Sequence, residues 1–162
     1  MVFFFAFGFV LHFSSIAQKG DAQNRIDAIS YSQEQGRFAH SLKLCDEVFN
    51  LFDFKDWDKD NQWTLISYSL DACKNLHDKK LFKHYFNHAN AFIKNNPFSD
   101  SGLVDNNHTD LRLKFNFLYY KAQLHVYNDQ IDSSILCIMD AILHVTKFSY
   151  YYTDNVGTDS KD

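Results

Sequence analysis

Residues 119–143 read YYKAQLHVYNDQIDSSILCIMDAIL, and this stretch decides the fold. Before the break Asn128-Asp129-Gln130, Leu111, Phe115, Leu118 and Ala122 recur at helical period and predict a helix over about 109–128. After it, Ile131, Ile135, Ile138, Ile142 and Val145 repeat that period beside Leu136, Met139 and Leu143, predicting a helix over about 130–148. A break this short forces two consecutive helices into an antiparallel hairpin. The apolar stripe on the second helix is wider than a surface helix needs, which predicts that it is wedged between neighbours.

Working outward, the same arrangement occurs twice upstream. Helices are expected over about 22–35, with Ala22, Ile26 and Ile29 inward, and over about 37–54, with Phe38, Leu42, Cys45, Phe49 and Phe52 on one face and Leu44, Val48 and Leu51 beside them. Two more follow: about 61–77, carrying Trp63, Ile66, Leu70 and Cys73, and about 79–95, carrying Phe82, Tyr85, Phe86, Ala89, Phe92 and Ile93. The last of these must stop at Asn95-Asn96-Pro97, because proline lacks a backbone donor and restricts its predecessor. The breaks Gln35-Gly36-Arg37, His77-Asp78-Lys79 and Asn128-Asp129-Gln130 delimit three helix pairs, and stacked pairs make an α-solenoid. The predicted fold is all-α, six helices in antiparallel pairs, with a helical repeat domain over 18–148 and a tail, or the start of a continuation, over 149–162.

The stretch 119–143 resembles one tetratricopeptide repeat. Tyr119 and Tyr120 stand for its aromatic first helix, Ala122 for the small residue where the helices touch, Asp129 for the turn, and Ser134, with Ala141 further on, for the second small position. Residues 33–49, QEQGRFAHSLKLCDEVF, match less fully through Gly36, Phe38 and Ser41. In the middle pair Pro97 fits the closing proline, while His84 or Tyr85 occupies the small position, and all the units exceed the usual ~34 residues. Long-period repeats of this kind are similar to the extracytoplasmic N-terminal modules of Bacteroidota sensor kinases and helix-turn-helix regulators. The resemblance implies a scaffold binding a protein or peptide along the groove of the first helices, with Asn116, Tyr119 and Gln123 facing it in the third pair. The Lys and Asn set that clamps a carboxylate in some relatives has no counterpart here.

Composition agrees with helices. Only one Pro and five Gly interrupt 162 residues, of which 46% are hydrophobic and 17% aromatic. That is sufficient for one core and too few turn residues for a sandwich or barrel. A net charge of −4 gives no electrostatic footprint for nucleic acid. At the N-terminus an uncharged run from Val2 to Phe13, about twelve residues, is too short to span a ~30 Å hydrocarbon layer but suits a signal-peptide core. Ser15 and Ala17 supply the small-x-small cleavage site, so residues 1–17 read as a signal peptide and the protein as exported, periplasmic or secreted. No Lys or Arg precedes the run, and an uncleaved anchor or a buried helix are the alternatives. Thirteen Lys against three Arg, with abundant Phe, Tyr and Asn, reflect AT-rich codons and carry no function. Cys45, Cys73 and Cys137, an odd number, read as buried thiols or as one disulfide and a thiol.

Candidate chemistry is sparse. Asp56, Asp58 and Asp60 stand at positions 1, 3 and 5 of an EF-hand-like loop, but Asn61 replaces its glycine and Ser67 its bidentate glutamate. An acidic turn capping the third helix is the plainer reading, and weak calcium binding the alternative. His84 and His88 share a helix face at i,i+4 without a third ligand. Asn107-His108-Thr109 is a glycosylation sequon of no consequence outside a eukaryotic secretory route. No phosphate loop, nucleophile elbow or Cys-His signature occurs, so neither an enzyme nor a cofactor is expected. Tyr150 to Tyr152, placed past the last helix, and the apolar end of the repeat suggest a longer parent chain or a homo-oligomer. A small secreted helical effector without true repeats is the second functional reading.

Overall fold

The computed structural model describes residues 21–51, 54–98 and 108–156, with side chains over 112–146 in the last segment. The leader, Phe52, the sequon asparagine and the side chains of Leu111 and Tyr150 to Tyr152 lie outside them. The described residues are all-helical, with no strand. Six helices follow in order: α1 (21–34), α2 (Phe38–Phe49), α3 (Lys59–Asn75), α4 (Lys79–Asn95), α5 (His108–Tyr127) and α6 (Ile131–Val156), with a 3₁₀ turn at Phe54–Asp56. Between Asp78 and Lys79 the chain divides into two compact units.

One backbone device ends α1, α3 and α5. Gly36, His77 and Asp129 adopt positive φ of 68°, 55° and 58°. The amides of Arg37, Asp78 and Gln130 then reach back five residues to the carbonyls of Ser32, Cys73 and His125, at 2.9, 3.0 and 2.9 Å. This is the Schellman closure, which satisfies carbonyls that a helix end would otherwise leave unpaired. The breaks expected from the sequence therefore fall on the observed turns.

In the first unit, Ala22, Ile26 and Ile29 of α1 meet Cys45 and Val48 of α2, Leu65 of α3 and the indole of Trp57. Gln33 ties three helices together, its amide donating to Ser41 Oγ at 3.0 Å and to the Tyr68 carbonyl at 2.7 Å. Helix α2 ends at Phe49 and not near residue 54. Asn50 caps it through the Asp46 carbonyl, and the chain bends so that Phe54 packs edge-on against Phe49 and Trp57, at 5.1 and 5.6 Å. Gln62 holds this aromatic clasp by donating to the Trp57 carbonyl at 2.6 Å and the Lys55 carbonyl at 3.1 Å. Helical periodicity continued through a segment whose aromatic residues gain more by folding back on themselves.

In the second unit, Phe82, Tyr85, Phe86, Ala89 and Phe92 of α4 are buried, and α4 stops before Pro97 as expected. Its rings meet those of α5: Phe82 lies edge-on to Tyr127 at 5.1 Å, and Phe86 stacks on Phe117 at 5.6 Å. Lys79 Nζ sits 5.8 Å from the centre of the Tyr127 ring, within cation–π range. Helices α5 and α6 form the antiparallel hairpin, closed by a 2.8 Å hydrogen bond between His125 Nδ1 and Gln130 Oε1.

Two expectations about facing are corrected in this hairpin. Phe115 points outward, 39% exposed, and the inward positions of α5 are Leu113, Leu118, Tyr120 and Ala122. On α6 the buried residues are Ser134, Cys137 and Ala141, while all five residues of the aliphatic stripe from Ile131 to Val145 are exposed. Small residues let α6 lie close on α5, so its larger side chains are turned away from the core. The helix also runs on through Tyr150 to Tyr152, which are part of α6 and do not follow it.

Candidate functional site

The three residues singled out for recognition all lie on α5. At 3.6 residues per turn, Asn116, Tyr119 and Gln123 fall within about 60° of one another around the helix. Tyr119 is 41% exposed, while Asn116 and Gln123 are half-buried beside it. Arg112 and Val126 extend the same stripe along the helix, and exposed Phe115 borders it. Tyr120, one residue on, turns the other way toward Phe82 and leans on the Tyr119 ring at 5.4 Å, limiting how far that ring swings. The stripe offers two amides, each a donor and an acceptor, around an amphipathic ring. Such a set can bond an extended backbone and stack on an apolar side chain; it holds no nucleophile or base arranged for catalysis. Comparison of the chain with protein-family models, curated proteins and solved structures finds no match.

The acidic turn is committed to structure. Asp58 is the N-cap of α3, its Oδ1 accepting from the Asn61 amide at 2.9 Å and its Oδ2 from Asn61 Nδ2 at 2.9 Å. The capping role read from the sequence is thus present, and Asp60 adds a favourable charge in the first turn. Among the described residues no group of three or more His, Cys, Asp or Glu is placed to hold a metal ion. His84 and His88 lie with ring centres 5.4 Å apart and both pack around Tyr85, which makes them part of an aromatic cluster.

Cys45, Cys73 and Cys137 are buried free thiols. Burial pushes Cys45 up to about 11, against smaller opposing hydrogen bonds from Ser69 and Ser41. Burial, with help from Asp78 and Cys45, pushes Cys73 up to about 12. Both stay protonated at neutral pH and are poor nucleophiles there. Ser41 and Cys45 on α2, and Ser69 and Cys73 on α3, form two i,i+4 pairs of small residues that permit the close packing of these helices. The resemblance accounts for Ser41 alone; helical period placed Cys45 and Cys73 inward, and only burial reveals Ser69.

A shallow cleft of about 240 Å³ lies between α1 and α2, floored by Ala28, Ile29, Leu44 and Val48. At its rim Arg25 is paired with Asp21 at 2.9 Å. At about 240 Å³ it is smaller than the usual small-molecule site, and Asn24, Arg25 and Glu47 complete its lining.

Proposed function

We propose that the protein is an exported helical-repeat scaffold that binds a protein or peptide segment through the Asn116–Tyr119–Gln123 side of α5, without chemistry of its own. The observation that carries this reading is the placement of two amides and a partly exposed tyrosine on one side of one helix. Rigid aromatic rings flanked by adaptable amides are a common recognition set, because the ring contributes area at small entropic cost and the amides supply directional bonds. Support from the sequence is the repeat resemblance, which assigns these positions to the ligand side. The leader supports export, and no helix among the described residues is long and apolar enough to cross a membrane. In this reading the protein is the sensory or adaptor part of a signalling system, analogous to the bacterial regulators its repeats resemble.

Selection of a displayed random-peptide library on the full chain tests the proposal. Peptides recovered on the wild type should lose at least about tenfold in affinity to Tyr119→Ala and Gln123→Ala, roughly 1.4 kcal/mol each. Exposed Lys43→Ala, on α2, should leave them unchanged. Recovered peptides indifferent to both α5 substitutions would place the binding surface elsewhere.

A further inference from the structure

We infer that the outer face of α6 is a self-association surface that packs against α6 of a second copy of this chain. Ile131, Ile135, Ile138, Ile142 and Val145 are all exposed and follow one another in steps of four, three, four and three. That alternation is the heptad spacing of a helix seam, and the matching surface for it is another helix carrying the same spacing, knobs into holes. Leu136, Met139 and Leu143, also more than half exposed, widen the seam on one side.

Two features point to a copy of the same chain as the occupant. Area is the first: eight aliphatic side chains, each 46 to 65% exposed, present on the order of 800 Å², which is what each partner contributes to a standard stable interface. Charge is the second. From Ile131 to Val145 the only carboxylates are Asp132 and Asp140, both off the Ile131–Val145 seam, with Asp132 beside Met139 and Leu143 at its widened edge, and there is no Lys or Arg. A partner of different composition is selected through complementary charge, which this face does not offer, whereas an aliphatic stripe is complementary to itself. A two-fold axis lets the same residues serve on both sides and closes the assembly at two chains. The inner face, with Ser134, Cys137 and Ala141, remains packed on α5, so pairing requires no rearrangement of the hairpin.

The test is the mass of the full chain by light scattering during gel filtration at micromolar concentration. Twice the chain mass is expected, falling to one chain mass in Ile138→Glu/Ile142→Glu with helical content by circular dichroism unchanged. Tyr31→Glu, an equally exposed position on α1, should remain dimeric. If the double variant loses helicity, Ile138→Cys gives a second reading: mild oxidation should link it into a covalent dimer, while Tyr31→Cys stays unlinked. A wild-type monomer overturns the inference and leaves the face to a different chain or a further segment. A dimer insensitive to the α6 substitutions overturns it too, and assigns association to the apolar run Val2 to Phe13 or another surface.

Discussion

Gly36, His77 and Asp129 hold the same left-handed backbone at three helix ends, yet only one of them is the residue that adopts it without cost. A Cβ at Gly36 would meet nothing within 4 Å, so the penalty of Gly36→Ala is purely conformational, and about 1 kcal/mol of stability should be lost in urea unfolding. His77→Gly should move the other way and raise stability by up to about 1 kcal/mol; a neutral or harmful result would mean that the imidazole makes a compensating contact. The buried thiols make a pH prediction. Their folded-state values lie above the ordinary 9.0, so the stability they contribute is complete below about pH 9 and is lost as pH rises through about 11 and 12. Urea midpoints compared at pH 8 and pH 10.5 should fall less in Cys45→Ala/Cys73→Ala than in the wild type. Gly36 is visible in the sequence as a turn residue, whereas the burial of Cys45 and Cys73 against Ser41 and Ser69 needs two helices that only tertiary packing brings together.

At the scale of the element, α5 and α6 carry the clearest contrast between pattern and placement. Their starts and their short connection were legible from period and turn chemistry, while α6 runs on past the expected end near residue 148; the resemblance supplied Ala122 and Ser134 as the small residues at the seam, and both are buried. Ser134→Phe should overpack this seam and cost on the order of 1–3 kcal/mol, with Ala122→Phe behaving alike. Exposed Lys43→Ala should stay within about 0.5 kcal/mol. If both large substitutions leave the urea midpoint unchanged, the two positions do not face a close helix contact and the register of the pair is wrong. The facing of α6 was not legible. Periodicity locates an apolar stripe but does not say which neighbour covers it, and here the core takes the narrower stripe of Ser134, Cys137 and Ala141. The sequence extends α2 to about residue 54 for a related reason: Phe49 and Phe52 keep a helical rhythm, whereas the rings of Phe49, Phe54 and Trp57 close a loop.

For the whole molecule, the proposed export rests on residues 1–17. Mass spectrometry of the protein recovered from the secreted or periplasmic fraction should find a chain beginning at Gln18, whereas an intact Met1 in the cytoplasmic fraction would overturn the leader assignment. The all-helical class, the number of helices and the three breaks were determined by the sequence itself, because helical period, scarce Gly and Pro, and turn residues are local properties that act within a few residues of one another. The stripe proposed for recognition was legible in part: resemblance supplied Asn116, Tyr119 and Gln123, and helical geometry alone places them on one side. Tertiary structure decided which side of α6 meets the core, the outward turn of Phe115 on α5, the small-residue packing of α2 on α3, the aromatic clasp around Trp57 and the exposure of the α6 aliphatics. The physical reason is that burial is a competition among faces. A side chain's hydrophobicity sets what it gains by leaving water, but which stripe lies against a neighbour depends on how closely two helices can approach, and small residues far apart in sequence set that distance.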